Sequence, residues 1–157
     1  MKINIYCLGK AHNPEYKSLI QFFEKRIKPF AKIEFHIIAI SKRNTKTSID
    51  QIKLDETELL KRNINFKHYT ILLDETGKAL NSVEWAENIE KIQLYHGKEI
   101  NFIIGGAYGV ADSLKKECKA IWSLSNLVFP HQMVRAILLE QIYRSFQILN
   151  NTGYHHI

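Results

Sequence analysis

At 157 residues, 45% of them hydrophobic and 24% charged, the chain has the composition of a globular protein and the length for one domain, 1–157, to bury a core without staples. No apolar run nears the ~20 residues of a membrane span and no signal peptide opens the chain, so the expected location is cytoplasmic, away from any membrane. The net charge of +6 is uneven: residues 1–50 carry ten Lys and Arg against four Asp and Glu, while the remainder balances twelve against twelve, and a basic region of this kind suits a polyanion such as RNA.

Lys2 to Leu8 predicts a first strand closed by Gly9. Asn13-Pro14 offers a helix cap and first position, and Tyr16, Ile20, Phe23 and Ile27 then share one helical face until Pro29. Ile33 to Ile40 predicts a second strand. The polar, basic run 41–48 predicts a loop able to meet a phosphate backbone. A helix is expected over Asp50 to Lys61. A third strand, Tyr69 to Leu73, should run into a turn at Asp74 to Lys78, before a helix capped by Ser82 that spans Val83 to Tyr95.

Glu99 to Ile104 predicts the fourth strand, and it empties into Gly105-Gly106-Ala107-Tyr108-Gly109. Three glycines in five residues mark a place where backbone, not side chain, meets something. A short helix capped by Asp112 (to Lys119), a short strand (Ala120 to Leu124), an apolar turn to Pro130 and a long helix (Gln132 to Asn150) complete the chain. Strands alternating with helices predict an α/β fold, a mostly parallel sheet flanked by helices. In such sheets ligands sit beyond the carboxyl ends of the strands. Leu73, Gly105-Gly106 and Leu124-Ser125-Asn126 mark three of those ends.

Known phosphate and metal motifs do not fit. The glycines lack the downstream acid of a dinucleotide site, no GxxxxGK[ST] run exists, and no metal is expected, since neither HExxH nor a His/Cys cluster is present. Cys7 and Cys118 are expected to be free thiols. The last helix is apolar over more than one stripe, which fits burial within the subunit or against a second copy. Glu140 and Arg144 are spaced as a helix pair. Arg135 has no local partner and is a candidate phosphate or base contact, and Tyr154 and His155 offer stacking and hydrogen bonds to an unstacked base.

Together, Ile103-Ile104-Gly105-Gly106-x-x-Gly109, Ser123-Leu124-Ser125, Phe129-Pro130-His131-Gln132-Met133-x-Arg135, Leu139-Glu140-Gln141-x-Tyr143-Arg144 and Tyr154-His155 resemble the 23S ribosomal RNA pseudouridine N3-methyltransferases of the SPOUT class. The resemblance covers essentially the whole chain. It implies a C-terminal trefoil knot, S-adenosyl-L-methionine as methyl donor, an obligate homodimer, and methylation of N3 of a pseudouridine in 23S rRNA of the assembled ribosome. By position it places the cofactor against Leu73, Gly105, Gly106, Leu124, Ser125, Asn126, Leu127, Val128 and Phe129, and it nominates Tyr154, His155, Arg135 and Arg144 for catalysis or RNA contact. His156 departs from the pattern, standing where a permanent cation is expected. A knotted enzyme acting on tRNA and a non-catalytic RNA-binding module are the alternatives.

Overall fold

The computed structural model describes residues 1–42 and 45–155. Five strands, β1 (Lys2–Leu8), β2 (Lys32–Ile38), β3 (Tyr69–Ala79), β4 (Glu99–Ile104) and β5 (Ala120–Ser123), form one sheet in the order β2-β1-β4-β3-β5, with every pair parallel. The helices are α1 (Pro14–Ile27), α2 (Ile49–Asn63), α3 (Ser82–Tyr95), α4 (Asp112–Lys115) and α5 (His131–Leu149).

Helices cover both faces, so the central strands are buried on both sides, as parallel sheets require. On one face Ile3, Ile5 and Cys7 of β1, Phe102 of β4 and Trp122 of β5 meet the apolar stripes of α1, α3 and α5. Trp85 of α3 stacks parallel to Phe102 and edge-on to Trp122, with centroids 5.9 and 4.7 Å apart. On the other face Tyr6, Leu8, Leu72 and Ile103 pack against Leu60, Ile64 and Leu114. α5 lies between α1 and α3 on the first face, which accounts for most of its wide apolar surface within the subunit.

One polar row crosses this apolar interior. Asn4 Nδ2 donates to Asn101 Oδ1 (3.1 Å), and Asn101 Nδ2 donates to Thr70 Oγ1 (3.1 Å) and the Asn65 carbonyl (2.9 Å). His36 Nε2 lies 3.3 Å from Asn4 Oδ1. Asn4, Thr70 and Asn101 are buried, and this network supplies the partners that buried amides need.

Several sequence expectations shift. β2 ends at Ile38, not Ile40. The expected turn at Asp74 to Lys78 is instead an irregular bulge within β3: β5 pairs with Leu73 before it and with Lys78 and Ala79 after it. The β5 backbone therefore runs hard against the bulge, and a Cβ on Gly77 would come 2.6 Å from the Trp122 carbonyl carbon. α3 is capped by Asn81 rather than Ser82, in a capping box with Glu84. Asn13 stands at the N-cap of α1 without a side-chain bond, and α4 stops at Lys115, short of Lys119. Arg43 and Asn44 of the expected basic loop, and His156, lie outside the described residues. Cys7 and Cys118 are free, and burial pushes the Cys118 thiol up to about 11.

Candidate active site

The bulge in β3 and the ends of β4 and β5 open into one cavity of about 480 Å³, within the size range of small-molecule sites. Leu73, Gly105, Gly106, Leu124, Ser125, Leu127, Val128 and Phe129 all line it; Asn126, in the same turn, does not. The apolar fourth strand delivers Gly105 and Gly106 to the cavity floor, where side chains have no room. A Cβ on Gly105 would stand 3.0 Å from Val110 Cγ1, and one on Gly106 would collide with the Glu56 carboxylate of α2. Ser123 Oγ donates to the Ser125 carbonyl (3.0 Å) and Ser125 Oγ accepts from Leu127 N (2.9 Å), which fixes the turn after β5. Leu127 and Val128 stand at its rim 70% and 83% exposed.

Sequence reasoning missed the polar wall. Asp74, in the bulge, accepts from Thr76 N (2.9 Å) and from Thr76 Oγ1 (2.5 Å) and pairs with Lys115 of α4 at 3.2 Å. Burial opposes its charge, but these bonds and Lys115 outweigh it and hold the carboxyl below its ordinary value. The signal was hidden because a bulge in a strand reads locally as a turn. His131, in the first turn of α5, also lines the cavity, its pKa lowered by burial and then by Arg135.

Three of the four nominated catalytic residues come together, but elsewhere. Arg144 donates to Glu140 Oε1 from Nε (2.9 Å) and Nη2 (2.6 Å), and to His155 Nδ1 from Nη1 (3.2 Å). Its guanidinium lies 4.8 Å over the Tyr154 ring, whose hydroxyl donates to Glu140 (3.3 Å) and whose edge meets Tyr143. Because Nδ1 of His155 accepts, a neutral imidazole there carries its proton on Nε2. Burial, then the Glu140 carboxylate, raises the Tyr154 pKa, so its hydroxyl stays protonated. Arg144 sits roughly 20 Å along α5 from His131 at 1.5 Å per residue, and none of the cluster lines the cavity.

Arg135 stands apart from that cluster. It is 1% exposed and donates to the carbonyls of Lys10 (3.0 Å) and Leu8 (3.4 Å), so in this subunit it is no surface contact for a base.

The whole chain matches known proteins. The family model described as predicted SPOUT methyltransferase fits residues 1–155. The chain belongs to the SPOUT methyltransferase family. Relatives named ribosomal RNA large subunit methyltransferase H include those of Christiangramia forsetii, 37% identical, Flavobacterium psychrophilum, 38%, and Fusobacterium nucleatum, 38%, each aligned over 99% of both chains. The parallel sheet flanked by helices is thus that of the knotted SPOUT class. As a SPOUT methyltransferase the protein is an enzyme, and the strand-end cavity is its candidate active site. Among the described residues no group of His, Cys, Asp or Glu could hold a metal ion, and no helix is long and apolar enough to cross a membrane.

Proposed function

We propose that the protein is a cytoplasmic homodimer that transfers a methyl group from S-adenosylmethionine to N3 of a pseudouridine in 23S rRNA of the assembled ribosome. The observation that carries this is the convergence of the β3 bulge and the loops after β4 and β5 on one cavity in a chain whose full-length relatives bear a large-subunit rRNA methyltransferase name.

The residues present fit the cofactor. Leu72, Leu73, Leu127, Val128, Phe129 and Val134 give apolar walls for an adenosyl group, Gly105 and Gly106 line the cavity without side chains, and Asp74 and Glu75 among the lining residues supply carboxylates suited to a cation. When bound, S-adenosylmethionine supplies an electrophilic methyl on a sulfonium. The acceptor nitrogen must lose its proton, leaving negative charge spread over the base. Protonated Tyr154, the Nε2 proton of His155 and the Arg144 guanidinium form a donor set that would orient such a base and stabilise that charge, with the N3 proton leaving to water.

That donor set lies far along α5 from the cavity of its own chain. A dimer resolves the separation, since a partner's tail can face the cavity across an interface built on the half-buried outer stripe of α5, Ile137, Gln141, Arg144 and Ile148, and the exposed Leu127 and Val128. Calorimetry with S-adenosylmethionine, together with methylation of ribosomes from a deletion strain, tests the reading. Binding should be detectable, and truncation after Gly153 should abolish methylation while cofactor affinity stays within a few-fold. No binding at millimolar cofactor, or equal loss of both properties on truncation, would refute it.

A further inference from the structure

The first turn of α5 works on two faces at once. His131 and Val134 line the cavity, whereas Gln132 and Arg135 reach the turn between β1 and α1. Gln132 Nε2 donates to the Ala11 carbonyl (3.2 Å), and its Oε1 accepts from Asn13 N (3.1 Å). Arg135 donates to the Leu8 and Lys10 carbonyls and lies 3.3 Å from His12 Nδ1. The turn is therefore bolted to the cavity wall, about one helix diameter, ~10 Å, away.

The turn is also electrically unusual. Arg135 is buried, makes no ion pair among the described residues, and its Nε has no hydrogen-bond partner among them. A buried cation without a counter-charge is costly to maintain. Its field reaches its neighbours: His12 is held below its ordinary pKa by burial, then by Arg135 and Lys17.

Above Arg135 the turn presents Lys10 and Lys17, both exposed. They flank the first turn of α1, whose N-cap Asn13 leaves the leading amides uncapped. Glu15 is the one acid in that helical turn. Elsewhere in the first third, several of the basic side chains have other partners. Lys2 and Lys32 pair with Glu34, Arg26 lies over Phe22 and Tyr143, and Lys25 and Lys28 sit at the C-terminal end of α1, where the helix dipole balances them.

We propose that the β1–α1 turn, with Lys10 and Lys17 set over buried Arg135, seats a backbone phosphate segment of the substrate RNA beside the cavity. The seat rests on the rRNA reading above for the identity of the polyanion. Its contacts are to phosphate, so they position the RNA without reading its sequence.

The test is the salt dependence of enzyme binding to ribosomes purified from a deletion strain. Loss of two phosphate contacts in the Lys10→Ala/Lys17→Ala variant should flatten the slope of log Kd against log salt by about 1.4, with S-adenosylmethionine affinity unchanged. Lys10→Arg/Lys17→Arg should keep the slope, and Lys25→Ala/Lys28→Ala should alter it much less. An unchanged slope in the first variant, or an equal loss in the Lys25 and Lys28 control, overturns the seat. If that occurs in an enzyme that still methylates rRNA, only the seat is wrong. If the slope flattens as expected in an enzyme that methylates no rRNA, the seat stands and the substrate assignment falls. A wild-type enzyme that binds cofactor but not these ribosomes overturns both.

Discussion

Gly77→Ala probes the passage of β5 beside the β3 bulge. The new Cβ would stand 2.6 Å from the Trp122 carbonyl carbon and 2.8 Å from the Ile121 carbonyl carbon and oxygen. All three atoms are backbone in a paired strand, so none can rotate aside as a side-chain tip would. Alanine in place of glycine restricts the unfolded chain and on that ground alone stabilises by about 0.4–1 kcal/mol. Forcing a methyl into filled space costs about 1–3 kcal/mol, and the neighbour here is the stiffest kind, so a net loss of about 1–2 kcal/mol is expected. For a chain of this size each kcal/mol lowers Tm by about 2–4 °C, which puts the expected drop at about 2–8 °C. The strain should also travel: relief requires β5 to retreat from Lys78 and Ala79, taking Leu124 to Phe129 with it. Calorimetric unfolding should show the lower Tm, and titration with S-adenosylmethionine should show weaker binding. An unchanged or raised Tm would mean that the entropy gain stands alone and that β5 is not pinned against the bulge.

Two further outcomes concern charge around the cavity. His12 and His131 both have pKa values lowered from 6.5, chiefly by burial and then by Arg135, so the folded protein binds fewer protons than the unfolded one near neutrality, and stability should fall as pH drops from about 7 towards 5. Tm measured across that window should decline in the wild type and decline less in His12→Gln/His131→Gln; an equal decline would place the acid sensitivity elsewhere. Lys115→Met removes the ion pair to Asp74 across the cavity wall, a largely shielded contact with side chains 26% and 11% exposed, worth about 1 kcal/mol. Cofactor affinity should weaken by about two- to five-fold, and titration calorimetry showing no change would remove Asp74 from the working wall.

Much of this architecture was legible because it is written locally. The Glu99–Ile104 strand and its glycines have a sharp signature, apolar run then φ-permissive residues, and they do floor the cavity. The same logic marked Leu73 and the turn after β5. What local patterns could not carry was anything set by a distant strand. Asp74 to Gly77 carry a turn's composition, yet β5, some forty residues later, holds them inside a strand. Arg135 lacks a charged partner at helical spacing because, beyond a 3.4 Å bond to Gln132 Oε1, its acceptors are carbonyls of residues 8 and 10, at the other end of the chain. The i,i+4 spacing marks the Glu140–Arg144 pair, which forms, but spacing does not show that this pair gathers Tyr154 and His155 away from the cavity of the same subunit.

The polar row through the sheet solves an alignment problem. A strand buried on both faces has isoleucine on either side, so sliding β4 along β1 by two residues would keep the apolar surface covered and incur little hydrophobic penalty. The amides forbid it. In register, Asn4 faces Asn101 and Asn101 faces Thr70; slid by two, Asn101 would face Lys2 or Tyr6, and each stranded amide would cost about 1–3 kcal/mol. The β3 bulge and the ends of β4 and β5 stand together at the cavity only in the first arrangement. Asn4 and Asn101, buried inside the sheet, thus act as a vernier, setting to within one residue where Gly105 stands beside Leu73.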